Sequence, residues 1–119
     1  MAIKEVAQGL VNLCREGQFD AAMTRYYAED IVSVEASGDP AESRGLAAVK
    51  AKGQWFMENH EVHGAEVTGP YINGDQFAVW FKLHVTPKAT GERTTFEEVG
   101  VYTVKDDKVV HERFLSLAA

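Results

Sequence analysis

The sequence predicts an α+β fold in which three N-terminal helices pack in a strongly curved antiparallel sheet. Apolar residues recur at three- and four-residue steps over residues 2–16, 18–28 and 45–59, which is typical of amphipathic helices. From about residue 61 the period changes to two, and large apolar side chains occupy every second position over 77–86. A sheet of long strands must twist and curl, so the helices can bury their apolar sides only on its concave side. The predicted architecture is a cone of sheet closed by helices.

Glycine, proline and serine mark the ends of the helical segments. Gly17 fits the C-terminal end of the first helix, whose apolar positions include Leu10 and Cys14. A short strand is expected at Asp30–Glu35, and the Gly, Pro and Ser content of residues 36–44 predicts a loop before the third helix. The N-terminal half is therefore expected to run helix, helix, strand, helix.

Three turns divide the C-terminal half into four long strands. Asn73-Gly74 predicts a tight hairpin, because both residues accept a positive φ. Pro87–Arg93 predicts a longer hairpin loop, and Lys105–Asp107 predicts a third turn. The strands between these turns are longer than the usual five or six residues, which favours a curved sheet.

Length and composition restrict the class of protein. The chain has 119 residues with a formal net charge of −6, which suits one domain over residues 1–119. The acidic balance argues against nucleic acid or an anionic membrane surface as the main partner. A single cysteine excludes an internal disulfide, and no apolar run is long enough for a signal peptide or a membrane span. We therefore expect a cytoplasmic protein.

Four short segments resemble a known family. They are Gly17–Ala22 between the first two helices, Tyr27–Val32 entering the first strand, Arg44-Gly45 opening the third helix, and Tyr102–Phe114 at the last hairpin. Together with the order of elements, they are similar to the nuclear transport factor 2-like (NTF2-like) superfamily. The closer resemblance is to its SnoaL-like branch of polyketide cyclase and ketosteroid isomerase relatives. The resemblance implies the conical, cystatin-like fold, an apolar pocket and a homodimer formed through the outer face of the sheet.

The resemblance leaves the function open, because the superfamily includes isomerases, hydrolases, dehydratases, cyclases and non-catalytic binding domains. Polyketide cyclases of this type usually carry a pocket aspartate on the last strand, near Phe114 or Ser116 in this chain. The sequence has no aspartate after Asp107. The cyclase mechanism therefore cannot be transferred residue by residue.

The register of the last hairpin decides which acidic residues share a face. If Asp106-Asp107 forms a two-residue turn, Glu98 and Glu112 lie on opposite faces. If the loop has three residues, Lys105–Asp107, the two glutamates are diagonal neighbours on one face and Gly100 lies opposite Glu112, leaving room for a ligand. We prefer the second register, a type I turn followed by a bulge whose last loop residue is left-handed, a conformation that aspartate tolerates.

The preferred register divides the last hairpin into two faces. The face taken as concave comprises Phe96, Glu98, Gly100, Tyr102, Val110, Glu112 and Phe114. The face taken as a dimer interface comprises Val99, Val101, Thr103, Val109, His111 and Arg113, next to Trp80 on the preceding strand.

Two carboxylates on the concave face suggest acid/base chemistry. Diagonal neighbours lie about 7–8 Å apart, and in an apolar cone that spacing disfavours ionisation of both and raises at least one pKa. We therefore name Glu98 and Glu112 as the candidate acid/base pair, with Tyr102 or His60 as hydrogen-bond donor. In the alternative interpretation, each glutamate is salt-bridged or lies in water at the mouth of the cone.

No metal site or cofactor is predicted. His60 and His63 are three residues apart, which is not the spacing of a zinc-protease helix, and on a strand they point to opposite faces. A set of aromatic residues is named as the wall of the substrate pocket, although core packing alone explains most of them. They are Tyr26, Tyr27, Trp55, Phe56, Phe96 and Phe114.

Two functional hypotheses follow. The first is a pocket protein for a small apolar molecule. If it is catalytic, it is expected to be a cofactor-free acid/base enzyme, that is, an isomerase, cyclase, dehydratase or hydrolase. Of the enzyme classes, an isomerase/cyclase-type lyase is preferred. The second is a non-catalytic ligand-binding or dimeric interaction module, in which both glutamates are at the rim or paired. In a third possibility, the outer face of the sheet binds another protein.

Overall fold

Three helices precede four long strands, as the periodicity predicts. The computed structural model describes residues 2–117. The helices are α1 (Ala2–Arg15), α2 (Phe19–Tyr26) and α3 (Leu46–Asn59). The strands are β1 (Tyr27–Val34), β2 (Glu42–Arg44), β3 (His60–Asn73), β4 (Gln76–Pro87), β5 (Thr94–Lys105) and β6 (Lys108–Ser116). None of the helices in residues 2–117 is long and apolar enough to cross a membrane.

The strands form one six-stranded sheet in the order β2-β1-β6-β5-β4-β3. The four C-terminal strands pair antiparallel, as predicted, whereas β1 joins β6 in parallel. This parallel pair places Ser33 of β1 beside Glu112 of β6. The α+β prediction is confirmed, and the parallel pair positions the polar residues described below.

Two local predictions differ from the structure. The second helix ends at Tyr26, because Tyr27 is already extended (φ −88°, ψ 140°) and begins β1. The segment 36–44, predicted as a loop, contains the short strand β2, in which Ser43 pairs with Ser33 of β1. The Gly, Pro and Ser content of this segment does not indicate a strand, and the three residues of β2 are held by backbone pairing with β1 alone.

The helices and one face of the sheet share a single hydrophobic core. On β4 the alternation is regular: Phe77, Val79 and Phe81 are buried, whereas Trp80 on the other face is 39% exposed. The buried residues of this core come from all three helices and from β1, β3, β4, β5 and β6. They are Val6, Ala7, Leu10, Val11, Cys14, Ala22, Tyr27, Ile31, Val49, Val67, Phe77, Val79, Phe81, Tyr102 and Val109.

The last hairpin closes with a two-residue turn, so the preferred three-residue loop is wrong. Lys105 pairs with Lys108, and Asp106 and Asp107 have φ values of 52° and 65°. The register then shifts between Thr103 and Val104, as a bulge does when two residues of one strand oppose one residue of the other. Each of the two registers considered from the sequence is half right. The first has the two-residue turn, and the second has a bulge.

The bulge puts Glu98 and Glu112 on the same face after all. Tyr102 lies opposite Glu112, and Glu98 lies opposite Ser116. The two glutamates are therefore not diagonal neighbours, because the Gly100–Phe114 pair separates them. The same-face placement holds, and the predicted spacing does not.

The bulge also exchanges the faces of the residues that follow the turn. Val109 was predicted on the outer face but is fully buried in the core, and Val110 was predicted on the concave face but is only half-buried. A bulge reverses the alternation of side chains along one strand without changing it on the other. The predicted faces therefore fail at these two positions and recover from His111 onward.

Gly100 makes room for a tyrosine ring rather than for a ligand. It pairs with Phe114 and not, as predicted, with Glu112. A Cβ atom on Gly100 would lie 2.8 Å from the hydroxyl oxygen of Tyr102, so the glycine allows the buried ring to lie back along its own strand. That ring stacks on Phe77 with centroids 4.9 Å apart.

Candidate functional site

A buried glutamate lies at the centre of the candidate site. Glu112 of β6 is 3% exposed, and both of its carboxylate oxygens accept hydrogen bonds. Tyr27 of β1 donates its hydroxyl to Oε1, and Ser33 of β1 donates to Oε2 at 2.7 Å. The parallel pairing of β1 with β6 makes this possible, because it sets Ser33 directly beside Glu112. Two hydroxyl donors are the partners that a buried carboxylate needs.

A lysine from the third helix extends this arrangement toward solvent. The Nζ atom of Lys52 on α3 lies 2.7 Å from Ser33 Oγ and 2.6 Å from Glu35 Oε2. The side chains of Lys52 and Glu35 are 30% and 35% exposed. We call Tyr27, Ser33, Glu35, Lys52 and Glu112 the Glu112 network. It connects a buried carboxylate to a half-exposed ammonium group.

Glu98 lies near this network and is half-buried. Its strand neighbours are Phe81 on β4 and Ser116 on β6. Burial, followed by the negative charges of Glu35 and Glu112, raises the pKa of Glu98 to about 7, and the positive charge of Lys52 opposes this rise. At neutral pH the carboxyl therefore exists in both protonation states.

The pKa of Glu112 is also raised, but for a different balance of reasons. Burial raises it most, while the hydrogen bonds from Tyr27 and Ser33 and the charge of Lys52 lower it. No side-chain hydrogen bond is among the causes that shift the pKa of Glu98. Glu112 is thus the carboxyl that hydrogen bonds hold in place, and Glu98 is the carboxyl whose pKa of about 7 lies near neutrality.

Tyr102 lies at the base of the site. It is 2% exposed, stands opposite Glu112, and packs edge to face against Phe114 with centroids 6.3 Å apart. Burial raises the pKa of Tyr102 well above its usual value, and the charge of Glu112 adds to the rise. The tyrosine is therefore a neutral phenol throughout the range in which Glu98 titrates.

His60 lies at the junction of α3 and β3, apart from the Glu112 network. Its Nδ1 atom is 2.9 Å from the carbonyl oxygen of Phe56, and its ring stacks on Phe56 with centroids 4.0 Å apart. No hydrogen bond joins His60 to Glu98 or Glu112 within the described residues. Phe96, two residues before Glu98, packs edge to face against Phe56 with centroids 6.0 Å apart. The link from His60 toward Glu98 is thus aromatic rather than polar.

The predicted pocket residues fall into three groups. Tyr27 and Phe114 belong with Tyr102 and Glu112. In the second group, Trp55 and Phe56 pack against His60, and Phe96 packs against Phe56. Trp55 is 60% exposed. Tyr26 forms the third group alone: its hydroxyl occupies the space beside Gly9 of α1, where a Cβ atom would be 1.9 Å away.

Two surface concavities lie elsewhere. The larger, of about 620 Å³, is bounded by α1 and β3 and is lined by Lys4, Glu5, Gln8, Gly9, Pro70 and Ile72. The smaller, of about 260 Å³, is lined by Arg15, Glu16, Gly17, Phe19, Val62, His63, Gly64 and Ala65. None of these residues is among the predicted site residues. Within residues 2–117, no group of three or more His, Cys, Asp or Glu side chains is arranged to hold a metal ion.

Three residues of the Glu112 network were not predicted from the sequence: Ser33, Glu35 and Lys52. Ser33 and Glu35 lie at the end of the predicted first strand, and their polarity in an otherwise apolar stretch was the available signal. Lys52 lies on a helix with many exposed positions, where a lysine normally faces solvent. Only the pairing of β1 with β6 brings these residues to Glu112.

Comparison with known proteins gives a family match over most of the chain. The family model described as SnoaL-like domain matches residues 1–116. A crystal structure from Mesorhizobium loti, provisionally named a SnoaL-like polyketide cyclase and also labelled carbohydrate phosphatase, is 53% identical with a TM-score of 0.93. The alignment covers 97% of this chain and 99% of that one. No curated protein matches the chain significantly.

Two more distant structures share the fold. A Xanthomonas campestris protein of unknown function with a cystatin-like fold is 17% identical, with a TM-score of 0.81 and coverage of 99% of this chain and 92% of that one. A protein from Jannaschia sp. CCS1, provisionally named a SnoaL-like polyketide cyclase, is 14% identical, with a TM-score of 0.75 and coverage of 95% and 86%. At such identities the likeness supports the fold alone.

The pKa of Glu98 predicts a specific pH dependence of stability. Its raised value means that the folded state binds this proton more tightly than the unfolded state does, so the contribution of Glu98 is complete below pH 4.5 and is lost as the pH rises through about 7. Glu98→Gln removes this loss. Relative to wild type, the variant should gain on the order of 2 kcal/mol in free energy of unfolding between pH 4.5 and pH 8.

Urea denaturation at several pH values measures this difference. Glu97→Gln is the matched control, because Glu97 lies on the opposite face and pairs with Lys82 at 3.9 Å. A free-energy difference between Glu98→Gln and wild type that is constant across this pH range would contradict the assignment.

Proposed function

Because this chain belongs to the SnoaL-like domain family, we propose that it binds a small apolar molecule and catalyses cofactor-free proton transfer on it. The observation that carries the proposal is the half-buried carboxyl of Glu98, whose pKa of about 7 suits a group that gives and takes a proton near neutrality. Isomerisation, cyclisation, dehydration and hydrolysis can all use such a step.

In this proposal Glu98 moves the proton and Glu112 fixes its electrostatic surroundings. Glu98 is partly exposed, whereas Glu112 is almost fully buried and already engaged by Tyr27 and Ser33. Burial, and then the negative charges of Glu35 and Glu112, raise the pKa of Glu98 and make it a stronger base.

The surroundings of Glu98 support an apolar substrate. Phe81 lies opposite it on β4 and is 5% exposed, and Phe96 lies two residues away on the same face. Phe96 continues through Phe56 to His60, which we assign to the wall of the site. Tyr102, as a neutral phenol opposite Glu112, is assigned to the electrostatic environment rather than to proton transfer.

A general proton-abstraction probe tests the proposal without knowledge of the natural substrate. In 5-nitrobenzisoxazole a base removes the C3 proton while the ring N–O bond breaks, which yields a coloured cyanophenolate. We expect turnover faster than by free acetate, with a rate that rises with pH through a midpoint of about 7, where Glu98 loses its proton. Glu98→Gln should reduce the rate roughly 100-fold.

The control for this assay is Glu97→Gln, which alters the outer face of the same strand and should retain the wild-type rate. Wild-type turnover by Glu98→Gln, or a pH profile with a midpoint near 4.5, would contradict a role for Glu98 as the base.

A second function, dimerisation through the outer face of the sheet, is favoured by one apolar row. Trp80, Val99 and Leu115 pair with one another across β4, β5 and β6. Trp80 is 39% exposed and Leu115 is 46% exposed. Exposed apolar groups in adjacent positions are typical of a surface that another protein covers, and we propose that a second copy of the chain covers this one.

Sedimentation velocity tests the dimer. Wild type is expected to sediment as a dimer and Trp80→Lys as a monomer, because a charge placed in the row would be buried on association. Trp55→Lys, which changes an equally large exposed residue on α3, should remain dimeric. A monomeric wild type, or a dimeric Trp80→Lys, would refute this interface.

A further inference from the structure

Lys52 occupies an unusual place in the Glu112 network. Its ammonium group donates to Ser33 Oγ at 2.7 Å, and Ser33 in turn donates its one hydroxyl proton to Glu112 Oε2 at 2.7 Å. An ammonium group can only donate, and a serine hydroxyl has a single proton. Lys52 therefore occupies one of the two lone pairs of Ser33 Oγ and leaves the single hydroxyl proton for the buried carboxylate.

The direction of that bond depends on the charge of Glu112. An ionised Glu112 accepts at both oxygens, whereas a protonated carboxyl has one O–H to donate, and on the Ser33 side only the second lone pair of Oγ could accept it. The positive charge of Lys52 and its hydrogen bond to Ser33 Oγ both favour an arrangement in which Ser33 donates and Glu112 accepts. We propose that Lys52 is a positioning residue that, acting through Ser33, orients the Glu112 carboxyl and favours its ionised form.

The surrounding charges support this role for a cation. The groups that face Glu112 come from four directions: Tyr27, Ser33 and Glu35 from β1 and its end, Tyr102 and Glu98 from β5, Cys14 from α1, and Lys52 from α3. Lys52 lowers the pKa of both Glu98 and Glu112, against burial and the other acids. Its ion pair with Glu35 at 2.6 Å holds the ammonium group in place.

The same helix provides a matched control. Lys50 is two residues away, so it leaves α3 on a different side, and its Nζ atom meets Thr24 and lies 3.7 Å from Asp20. The side chains of both lysines are 30% exposed. Loss of charge, loss of aliphatic packing and change of helix propensity are therefore comparable for Lys50→Met and Lys52→Met.

The experiment is a titration of the Glu112 carboxyl carbon by NMR in the full-length chain. Lys52→Met should move its midpoint to higher pH, because a positive charge and a fixed donor are both lost. Lys52→Arg keeps a cation that can only donate, and should restore the wild-type midpoint. Lys50→Met should leave the midpoint unchanged.

An unchanged midpoint in Lys52→Met, or an equal rise in Lys50→Met, would overturn the proposal. If Lys52→Met does not fold, Ser33→Ala interrupts the same chain of hydrogen bonds while retaining the lysine. It should also raise the midpoint, and its failure to do so would equally refute the role of Ser33. The inference rests on the proposed function for its catalytic consequence, but the titration uses no substrate, so its failure and the failure of the proton-transfer assay are distinguishable.

Discussion

The site depends on the burial of one ionisable carboxyl group, that of Glu112, where β6 pairs with β1. Removing a carboxylate from water costs several kcal/mol unless hydrogen bonds replace its hydration. Glu112 obtains these bonds from Tyr27 and Ser33, and both donors come from β1, the strand that lies parallel to β6. The strand pairing that completes the sheet therefore also satisfies the buried acid. Fold and site share the same contacts, so loss of the β1–β6 pair would remove both donors at once.

The chemistry attributed to Glu98 follows from this buried charge. Glu98 lies on the same face as Glu112 without its two hydroxyl donors, so burial and the charges of Glu35 and Glu112 raise its pKa to about 7. The two carboxyls thereby take different roles, one held by hydrogen bonds and one able to exchange a proton. Lys52 connects them, because it lowers the pKa of both and reaches Glu112 through Ser33.

Much of the fold could be predicted from periodicity alone, because helices and long strands impose periods that apolar residues must follow. The three helices and the four long strands came from these patterns. The choice of Glu98 and Glu112 rested on a three-residue loop, and the two residues share a face because a two-residue turn is followed by a bulge. A bulge was predicted in the last hairpin, but its position at Val110 could not be, since Val109 and Val110 are both valine and either can face the core. Lys52 could not be predicted either, because its partners depend on the pairing of two strands that are distant in sequence.

The central claim is that Glu98 is a carboxyl poised near neutral pH. Its side-chain carboxyl carbon can be followed by NMR in the wild-type protein over a range of pH, and the account predicts a midpoint of about 7. A midpoint near 4.5, the ordinary value for a glutamate, would show that neither burial nor Glu112 perturbs Glu98 and would contradict the account.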